Sequence, residues 1–488
     1  MRLWYVKKMR STITFILDNR ITTIDFSKPG SPAPTTTVLN YLRSSPNHKG
    51  VKEGCAEGDC GACTVVLADS GPDGHLHYRS VNSCLIFLPM IHGKQLITVE
   101  NLKSDKGELH PVQKAMVEAH GSQCGFCTPG IVMSLFALYK NQAKADSAEI
   151  LTALSGNLCR CTGYQPIIDT GKKMFLAKAE DQFDRNTGSL REMLNSIPRD
   201  GVAIKTDRQK YFQPVNLKEA LKLRAKYPQA YLLSGATDIA LHVTKDYETL
   251  PEIIDLSAIP ELQGFSRDDY YLYLGASADL TTLLPAVQKH LPALADMFSV
   301  YGSVQIRNLA TLGGNLGTAS PIGDALPVLM AYRASILAEG ANGKREIGLD
   351  KFFKGYRLTE LKTDEIITRI KIPIATNGAI VRSYKISKRK DLDISTLSGG
   401  FRLQLDGQGK ASELILAFGG MADRVKRAVS VENYLRGKPW EKNTVEEAME
   451  LIDQDFSPIS DVRGSAEFRR VAAKNLLLKF LHETQNGM

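Results

Sequence analysis

Eight cysteines fall into two groups whose spacing could hold metal clusters. Residues 122–166 read SQCGFCTPG…GNLCRCTGYQP, with a C-x-x-C pair and, about thirty residues later, a C-x-C pair. Upstream, GCAEGDCGAC has the C-x4-C-x2-C spacing of a plant-type [2Fe–2S] loop, which a distant fourth cysteine closes. No cysteine is left over. The spacing predicts two [2Fe–2S] clusters, one held by Cys55, Cys60, Cys63 and Cys84 and the other by Cys124, Cys127, Cys159 and Cys161.

Two other uses of these cysteines are possible. Disulfides are disfavoured because eight cysteines in 488 residues are sparse, no secretory signal is visible, and Cys159 and Cys161 are too close to pair comfortably. Structural zinc is the second alternative, since C-x-x-C pairs are common in zinc ribbons. The C-x4-C-x2-C run with a remote fourth cysteine is, however, a poor ribbon.

A second stretch is rich in glycine, hydroxyl and amide side chains. Residues 307–321 read RNLATLGGNLGTASP, and the backbone N–H groups and hydroxyls of such a loop can surround a pyrophosphate. A plain turn-rich connection is the alternative. Neither G-x-G-x-x-G nor a Walker A motif is present, so neither a Rossmann nor a P-loop site is supported. The basic run KISKRK at residues 385–390 is interpreted as a solvated loop, although an anionic cofactor could use it.

Composition narrows the class of protein. The chain has 43% hydrophobic and 23% charged residues, which is ordinary globular usage, and its length favours three or four domains. The net charge of +8 is mild and the basic residues are scattered, so nucleic acid is not expected as a partner. No apolar stretch approaches membrane-span length. The N-terminal MRLWYVKKMRST lacks an apolar core, so we expect no signal peptide and a cytoplasmic location.

The hydrophobic patterns predict an α+β multidomain chain. In order, we expect a β-rich domain at residues 11–100, a helical domain at 101–178, a linker at 179–210, a domain carrying the glycine-rich stretch at 211–377, and an α+β domain at 378–488. Helices predicted at residues 131–139 and 162–174 follow the two cysteine pairs of the helical domain. The positive end of a helix dipole favours thiolates and a net-negative cluster, which strengthens the cluster prediction.

The order of these motifs resembles the iron–sulfur/FAD half of the molybdenum hydroxylases. The likeness rests on the cysteine loop, on SQCGFCTPG…NLCRCTGY, and on LLSGATDIAL and NLATLGGNLGTASPIGD, and it covers essentially the whole chain after Met9. Both cluster domains and the flavin domain are fused in one chain. Within the family, this arrangement is most similar to the small subunit of the bacterial xanthine dehydrogenase branch.

The resemblance implies a β-grasp [2Fe–2S] ferredoxin-like domain, a helical [2Fe–2S]-binding bundle, a vanillyl-alcohol-oxidase-like FAD domain and a C-terminal flavoprotein domain. Cys55 and its set would lie nearer the flavin, and Cys124 and its set nearer the molybdenum cofactor. Gln123 would lie beside the pterin of a partner subunit, and Tyr301 against a flavin ring. Further FAD contacts would come from Leu232, Leu233, Ser234, Gly235, Ala236, Thr237, Asp238, Ile239, Ala276, Ala310, Thr311, Leu312, Gly313, Gly314, Asn315, Thr318, Ser320 and Asp324. Ala236 stands where relatives often carry asparagine, and Asp238 stands where some carry glutamate.

By the same resemblance, the chain would be an electron-transfer subunit. A molybdopterin-binding large subunit would hydroxylate hypoxanthine or xanthine, and electrons would pass through the two clusters to FAD and NAD+. The chain leaves no room for a molybdopterin domain, so no residue of it is expected to catalyse purine hydroxylation, and a dimer of heterodimers is expected. Alternatives are the same subunit of a hydroxylase for an aldehyde or an N-heterocycle, a flavin-free redox-sensing or structural metalloprotein, and oxygen as the acceptor.

Overall fold

The computed structural model describes residues 9–71, 74–104, 106–176, 178, 180–374 and 378–485. Residues 1–8, the start of the segment that argues against a signal peptide, lie outside this range. The described residues form two compact units, one from the ranges 9–223, 229–260 and 303–310 and the other from the ranges 224–228, 261–302 and 311–485. We call them the first and second unit. Within the described residues, no helix has the length and apolar character needed to cross a membrane.

A β-grasp domain carries the first cysteine set. Its elements are β1 Thr12–Leu17, β2 Arg20–Asp25, α1 Val38–Ser44, β3 Thr64–Ser70, β4 Leu76–Asn82 and β5 Gln95–Ile97, with 3₁₀ turns at Ser83–Leu85, Leu88–Ile91 and Val99–Leu102. The strand order is β2-β1-β5-β3-β4, with β1 and β5 parallel and the other neighbours antiparallel. Asp18 and Asn19, with φ of 53° and 56°, form the tight turn between β1 and β2 that hairpin twist favours. The predicted ferredoxin-like fold is confirmed.

Four helices form the second cysteine domain: α2 Pro111–Glu118, α3 Thr128–Asn141, α4 Ser147–Ala153 and α5 Gln165–Lys173. Helix α3 is buried almost all round, as its apolar sequence indicates. Helix α5 begins three residues later than predicted. The residue before it, Tyr164, has φ of 70°, a left-handed conformation that cannot be part of an α-helix.

The region predicted as a linker is structured, and that expectation is wrong for the described part of residues 179–210. It contains α6 Gln182–Arg185, α7 Thr187–Ser196 and β6 Val202–Lys205, and β7 Lys210–Gln213 begins at its end. Leu190 and Leu194 of α7 are buried against Ile16 of the β-grasp domain. The polar composition of this region gave no sign of a packed helix, because only one narrow face of α7 is apolar.

A buried ionic cluster fixes α6 to the helical domain. Asp181 caps α6 by accepting hydrogen bonds from the backbone N–H groups of Phe183 and Asp184. Its carboxylate also lies 2.9 Å from Lys140 Nζ and 3.0 Å from His110 Nε2, and all three side chains are almost fully enclosed. Burial opposes the charge of Asp181, but the hydrogen bond from His110 and the charge of Lys140 together hold its pKa well below the usual range.

Asp181→Asn is therefore expected to lower the free energy of unfolding of the first unit by about 3 kcal/mol at pH 7, because the enclosed Lys140 then has only the half-exposed Asp184, at 2.5 Å, as a counter-charge. Asp184, whose side chain is 44% exposed, is the matched control, and Asp184→Asn should cost less than about 1 kcal/mol. The pKa of Asp181 is lowered, so its contribution is complete above pH ~4 and is lost as the pH falls further. Denaturant unfolding followed at pH 7 and in acid measures this, and equal losses for the two variants would contradict it.

The middle of the chain supplies elements to both units. They are α8 Leu217–Lys226, β8 Tyr231–Leu233, α9 Ile239–Thr244, β9 Glu252–Asp255, a 3₁₀ turn at Pro260–Leu262, β10 Phe265–Arg267, β11 Tyr271–Gly275, α10 Leu280–His290, α11 Pro292–Ser299, α12 Val304–Arg307, α13 Leu312–Thr318, α14 Ala325–Ala331, β12 Ser335–Gly340, β13 Gly343–Gly348, α15 Leu349–Phe352, β14 Phe353–Gly355, β15 Leu358–Thr359 and β16 Ile366–Pro373. The first unit contains a sheet of order β6-β7-β9-β8, in which β7, β9 and β8 are parallel. The second unit contains an antiparallel sheet of order β10-β11-β16-β12-β13, and β14 pairs with β15.

The chain ends in a further α+β domain of the second unit. Its elements are β17 Ile380–Ile386, β18 Leu397–Leu405, β19 Ala411–Gly419, β20 Lys426–Arg427, α16 Val429–Leu435, α17 Lys442–Met449, α18 Ile452–Asp455 and α19 Ala466–Gln485. The four strands pair in chain order, and buried residues of α16 to α19 complete their core. The predicted α+β character of this region is confirmed.

Candidate iron–sulfur and flavin sites

The first cysteine set gathers between the loop before β3 and the turn after β4. Cys63 and Cys84 are buried, and their Sγ atoms lie 3.4 Å apart. Cys55 and Cys60 are half-buried and joined by a side-chain hydrogen bond, and Cys55 also acts electrostatically on both Cys63 and Cys84. Four thiols that converge in this way are the donor set that a [2Fe–2S] cluster requires.

The backbone of this loop favours negative charge on sulfur. The N–H groups of Glu57, Asp59 and Cys60 donate to Cys55 Sγ at 3.4, 3.2 and 3.3 Å. Gly58, with φ of 85°, permits the turn that directs these groups inward. The thiol hydrogen bond from Cys60, opposed by burial and assisted by these N–H groups, lowers the pKa of Cys55 to about 5. Such N–H···S bonds also tune a bound cluster.

The second cysteine set lies at the surface of the helical domain. Cys124 and Cys161 are exposed and joined by a side-chain hydrogen bond, and Cys127, the N-cap of α3, is joined in the same way to the buried Cys159. Thr162 Oγ1 lies 3.2 Å from Cys159 Sγ. Burial of the thiol, and after it the side-chain hydrogen bond with Cys159, raises the pKa of Cys127 to about 12. The structure thus brings together all four cysteines of this set as well.

The disulfide alternative does not fit this geometry. All eight cysteines are free thiols. The 3.4 Å between Cys63 Sγ and Cys84 Sγ is far longer than a disulfide bond of about 2.05 Å. Two closed groups of four thiols, with backbone donors aimed at sulfurs of both, fit two iron–sulfur clusters.

The two cysteine loops touch through their backbones. The Leu158 N–H, next to Cys159, donates to the carbonyl oxygen of Cys60 at 3.0 Å. A side chain could not be accommodated at Gly61, because its Cβ would lie 2.1 Å from the carbonyl oxygen of Gly156. The loops that carry the two sets are therefore in direct contact within the first unit.

One predicted flavin segment, residues 232–239, forms the end of β8, a turn and the start of α9 in the first unit. Gly235 is packed so closely that a Cβ there would lie 1.9 Å from the Leu309 carbonyl oxygen, beside the predicted flavin residue Ala310. Ala236 has φ of 63°. This left-handed conformation costs an alanine about 1–2 kcal/mol and suits asparagine better, which accounts for the asparagine expected from the resemblance.

The second predicted flavin segment lies in the second unit, and the expectation of an open loop there is wrong. Residues 312–318 form α13, whose N-cap Thr311 accepts a hydrogen bond from the Gly314 N–H. Gly313 donates its N–H to the carbonyl oxygen of Ala276, another predicted flavin residue, at 3.0 Å. Thr318 ends the helix and Ser320 follows it. Tertiary contact has overridden the poor helix propensity of glycine and threonine here.

This part of the second unit suits a polar cofactor. Among the described residues, Asn315 Oδ1 and Ser277 Oγ are buried and have no hydrogen-bond partner. Buried polar atoms of this kind are rare in a finished protein interior and indicate a missing ligand or water. Gly313 lets α13 pack closely against the backbone that follows β11, since a Cβ there would lie 2.4 Å from the Ala276 carbonyl oxygen. Asn315 Oδ1 can only accept a hydrogen bond, and FAD carries hydroxyl and ring N–H groups that could donate one.

Asp324 is held by two residues that the sequence reasoning missed. Lys385 Nζ lies 2.8 Å from Asp324 Oδ2, and Ser395 Oγ donates to Asp324 Oδ1 at 2.6 Å. The Lys385 side chain is only 5% exposed, so the interpretation of residues 385–390 as a solvated loop is wrong for this residue. The sequence signal is the run IVRSYKI at residues 380–386, whose alternating pattern is typical of a strand that includes Lys385. Of the remaining predicted residues, Gln123 is exposed beside Cys124, and Tyr301 is half-buried after α11.

Comparison with known families assigns all four regions. Residues 30–88 match the 2Fe-2S iron-sulfur cluster binding domain, and residues 98–172 match the [2Fe-2S] binding domain. Residues 205–375 match the FAD binding domain in molybdopterin dehydrogenase, and residues 382–484 match the CO dehydrogenase flavoprotein C-terminal domain. The resemblance inferred from the motifs is confirmed.

Curated relatives include "Xanthine dehydrogenase" of Emericella nidulans, 34% identical over 97% of this chain, and "Xanthine dehydrogenase/oxidase" of Gallus gallus, 31% identical over 93%. "Xanthine dehydrogenase 1" of Arabidopsis thaliana is 32% identical over 91%. The aligned part amounts to 38%, 39% and 38% of these three proteins, so the chain spans well under half of their length.

Solved structures with a similar fold include a chain of carbon monoxide dehydrogenase from Hydrogenophaga pseudoflava. The match has a TM-score of 0.53 and 27% identity, and it covers 56% of this chain and 96% of that one. A chain of quinoline 2-oxidoreductase from Pseudomonas putida 86 has a TM-score of 0.53 and 25% identity, with coverage of 58% and 99%.

Proposed function

We propose that this chain belongs to the molybdenum hydroxylase family and is the electron-transfer subunit of an NAD+-dependent xanthine dehydrogenase. A molybdopterin-binding large subunit would hydroxylate hypoxanthine or xanthine. The electrons would enter this chain at Cys124 and its set, pass to Cys55 and its set, and reach FAD and then NAD+. We place the complex in the cytoplasm as a dimer of heterodimers.

The contact between the two cysteine loops is the observation that carries this proposal. Two clusters joined by the Leu158–Cys60 backbone hydrogen bond form a relay, whereas a structural metalloprotein has no need of such a contact. When bound, the clusters carry single electrons and the flavin can accept two. The chain's own part is to hold these groups at fixed separations and to adjust their potentials.

The proposed order of the two clusters is supported by the exposure of their cysteines and by the contacts of Lys245. Cys124 and Cys161 are exposed, so their set can face a partner subunit, while Cys63 and Cys84 are buried. Lys245, which follows α9 and so the first flavin segment, donates to the carbonyl oxygen of Cys55 at 3.2 Å and lies 3.4 Å from Glu57. These contacts support placing Cys55 and its set on the flavin side.

The chain loaded with FAD and clusters but without a partner is expected to oxidise NADH with an artificial dye and to leave xanthine unchanged. The thiol sets and flavin segments would supply an electron path, whereas purine hydroxylation would belong to the partner subunit. Xanthine turnover by this chain alone would contradict the proposal. A flavin that NADH leaves oxidised would exclude NAD+ and favour oxygen or another acceptor.

A hydroxylase for an N-heterocycle is the second candidate, favoured by the similarity to quinoline 2-oxidoreductase. The choice between purine, aldehyde and N-heterocycle would belong to the partner subunit. The names of the curated relatives favour xanthine. Offering each substrate class to the assembled complex decides between them.

A further inference from the structure

One short segment of the first unit, residues 303–310, contacts both cysteine loops and the first flavin segment. We call it the bridging segment; it contains α12. Ile306 of this segment packs against Gly58 of the first cysteine loop, since a Cβ at Gly58 would lie 3.1 Å from Ile306 Cδ1. Toward the flavin segment, the Leu309 carbonyl oxygen is packed against Gly235. On the remaining side, Ser303 and Gln305 are completely buried against the second cysteine loop.

Gln305 is the centre of a buried polar network. Its Nε2 donates to Ser134 Oγ at 2.8 Å and to Asn157 Oδ1 at 2.9 Å. Ser134 Oγ donates to the same Asn157 oxygen at 2.6 Å. Ser134 lies on α3, the helix that begins directly after Cys127, and Asn157 precedes Cys159 by two residues. The amide of Gln305 thus links both halves of the second cysteine set.

Asn157 continues the network into the first cysteine set. Its Nδ2 donates to the Gly61 carbonyl oxygen at 3.1 Å and lies 3.3 Å from Thr64 Oγ1. Gly61 stands between Cys60 and Cys63. The Gln305 side chain is also closely packed, because a Cβ on Gly156 would lie 2.1 Å from Gln305 Oε1.

We propose that Gln305 is a positioning residue for electron transfer between the two clusters. Through Asn157 and Ser134, its amide fixes the two cysteine loops at one separation and orientation. The inference rests on the proposed relay, in which one electron leaves the reduced second cluster and reduces the first, with no bond or proton exchanged. Gln305 touches neither cluster's ligands and acts only through the network.

Gln305→Met tests this, since methionine keeps the length of the side chain and removes its hydrogen bonds. The chain is reduced with dithionite, and the magnetic interaction between the two reduced clusters is read from the splitting of their paramagnetic resonance signals at low temperature. We expect iron and flavin contents equal to those of the unmodified chain, an altered splitting, and several-fold slower electron transfer between the clusters after flash reduction.

Gln213→Met is the matched control. Gln213 is also a buried glutamine of the first unit, but it donates to Asp255 in the sheet of β7 and β9. We expect Gln213→Met to lose about as much stability as Gln305→Met, but to leave the splitting of the cluster signals unchanged. Ser134→Ala is a second, milder variant that removes one oxygen of the network, and it should alter the splitting in the same direction.

The outcomes are distinct. An unmodified chain that holds no pair of coupled clusters overturns the proposed relay itself. Coupled clusters in the unmodified chain, with the same splitting and transfer rate in Gln305→Met, overturn only the role of Gln305. Should Gln305→Met fail to load its clusters, Ser134→Ala decides, and an unchanged splitting in that variant overturns the inference.

Discussion

Cys161→Ala is expected to lose half of the bound iron and to stop electron entry from a partner subunit. Three thiols remain in the second set, too few to hold a [2Fe–2S] cluster. Cys161 is exposed, so its removal leaves no cavity and should not impair folding. The first cluster and FAD should be retained, and NADH oxidation with a dye should continue. Only reduction of the flavin by the partner's substrate should fall, by orders of magnitude.

Arg160→Ala, an exposed neighbour of Cys161, is the matched control and should keep the full iron content. Iron analysis and the visible spectrum of the two variants, with stopped-flow reduction of the assembled complex, make the comparison. Full iron in Cys161→Ala would contradict the assignment of the second cluster. Undiminished reduction by substrate would contradict its place at the entry to the relay.

Gly313→Ala is expected to lose most of the bound flavin and keep both clusters. The new Cβ would lie 2.4 Å from the Ala276 carbonyl oxygen and 2.8 Å from Ala276 Cβ. Relief of this contact must move α13 away from β11, and overpacking of this kind costs about 1–3 kcal/mol. If the cost falls on the FAD complex, affinity drops roughly tenfold or more.

Gly317→Ala in the same helix is the control, because its Cβ would meet no atom within 4 Å. Helix propensity alone should stabilise it, by up to about 1 kcal/mol. Flavin released on denaturation and the Kd for added FAD measure the difference. Equal FAD affinity in the two variants would remove α13 from the flavin site.

The cysteine chemistry was readable from sequence because each ligand set is defined by short spacings. Strands β1, β8 and β17 can be read from the sequence, because TITFIL, YLL and IVRSYKI are alternating or apolar runs. Helix α13 was missed because its three glycines and its threonine disfavour a helix, whereas the contact between Gly313 and Ala276 stabilises it. Helix α7 was missed because its two buried leucines are diluted by polar neighbours.

The Gln305 network could not have been predicted from one sequence. Gln305 reaches Ser134 and Asn157 across 171 and 148 residues of chain, and nothing in the local sequence distinguishes it from an exposed glutamine. The same holds for Lys385, whose partner Asp324 is 61 residues away. Contacts of this kind arise only when the domains pack.

Anaerobic bleaching of the native complex tests the electron relay most directly. The complex is captured from its own cells through a tag on this chain, xanthine is added without oxygen, and the flavin and iron–sulfur absorbance is followed before and after NAD+ is supplied. We predict bleaching of all these bands by xanthine and recovery with NAD+. Bands that stay unchanged with xanthine, and with aldehyde and N-heterocycle substrates, would contradict the assignment of this chain as the electron carrier of a molybdenum hydroxylase.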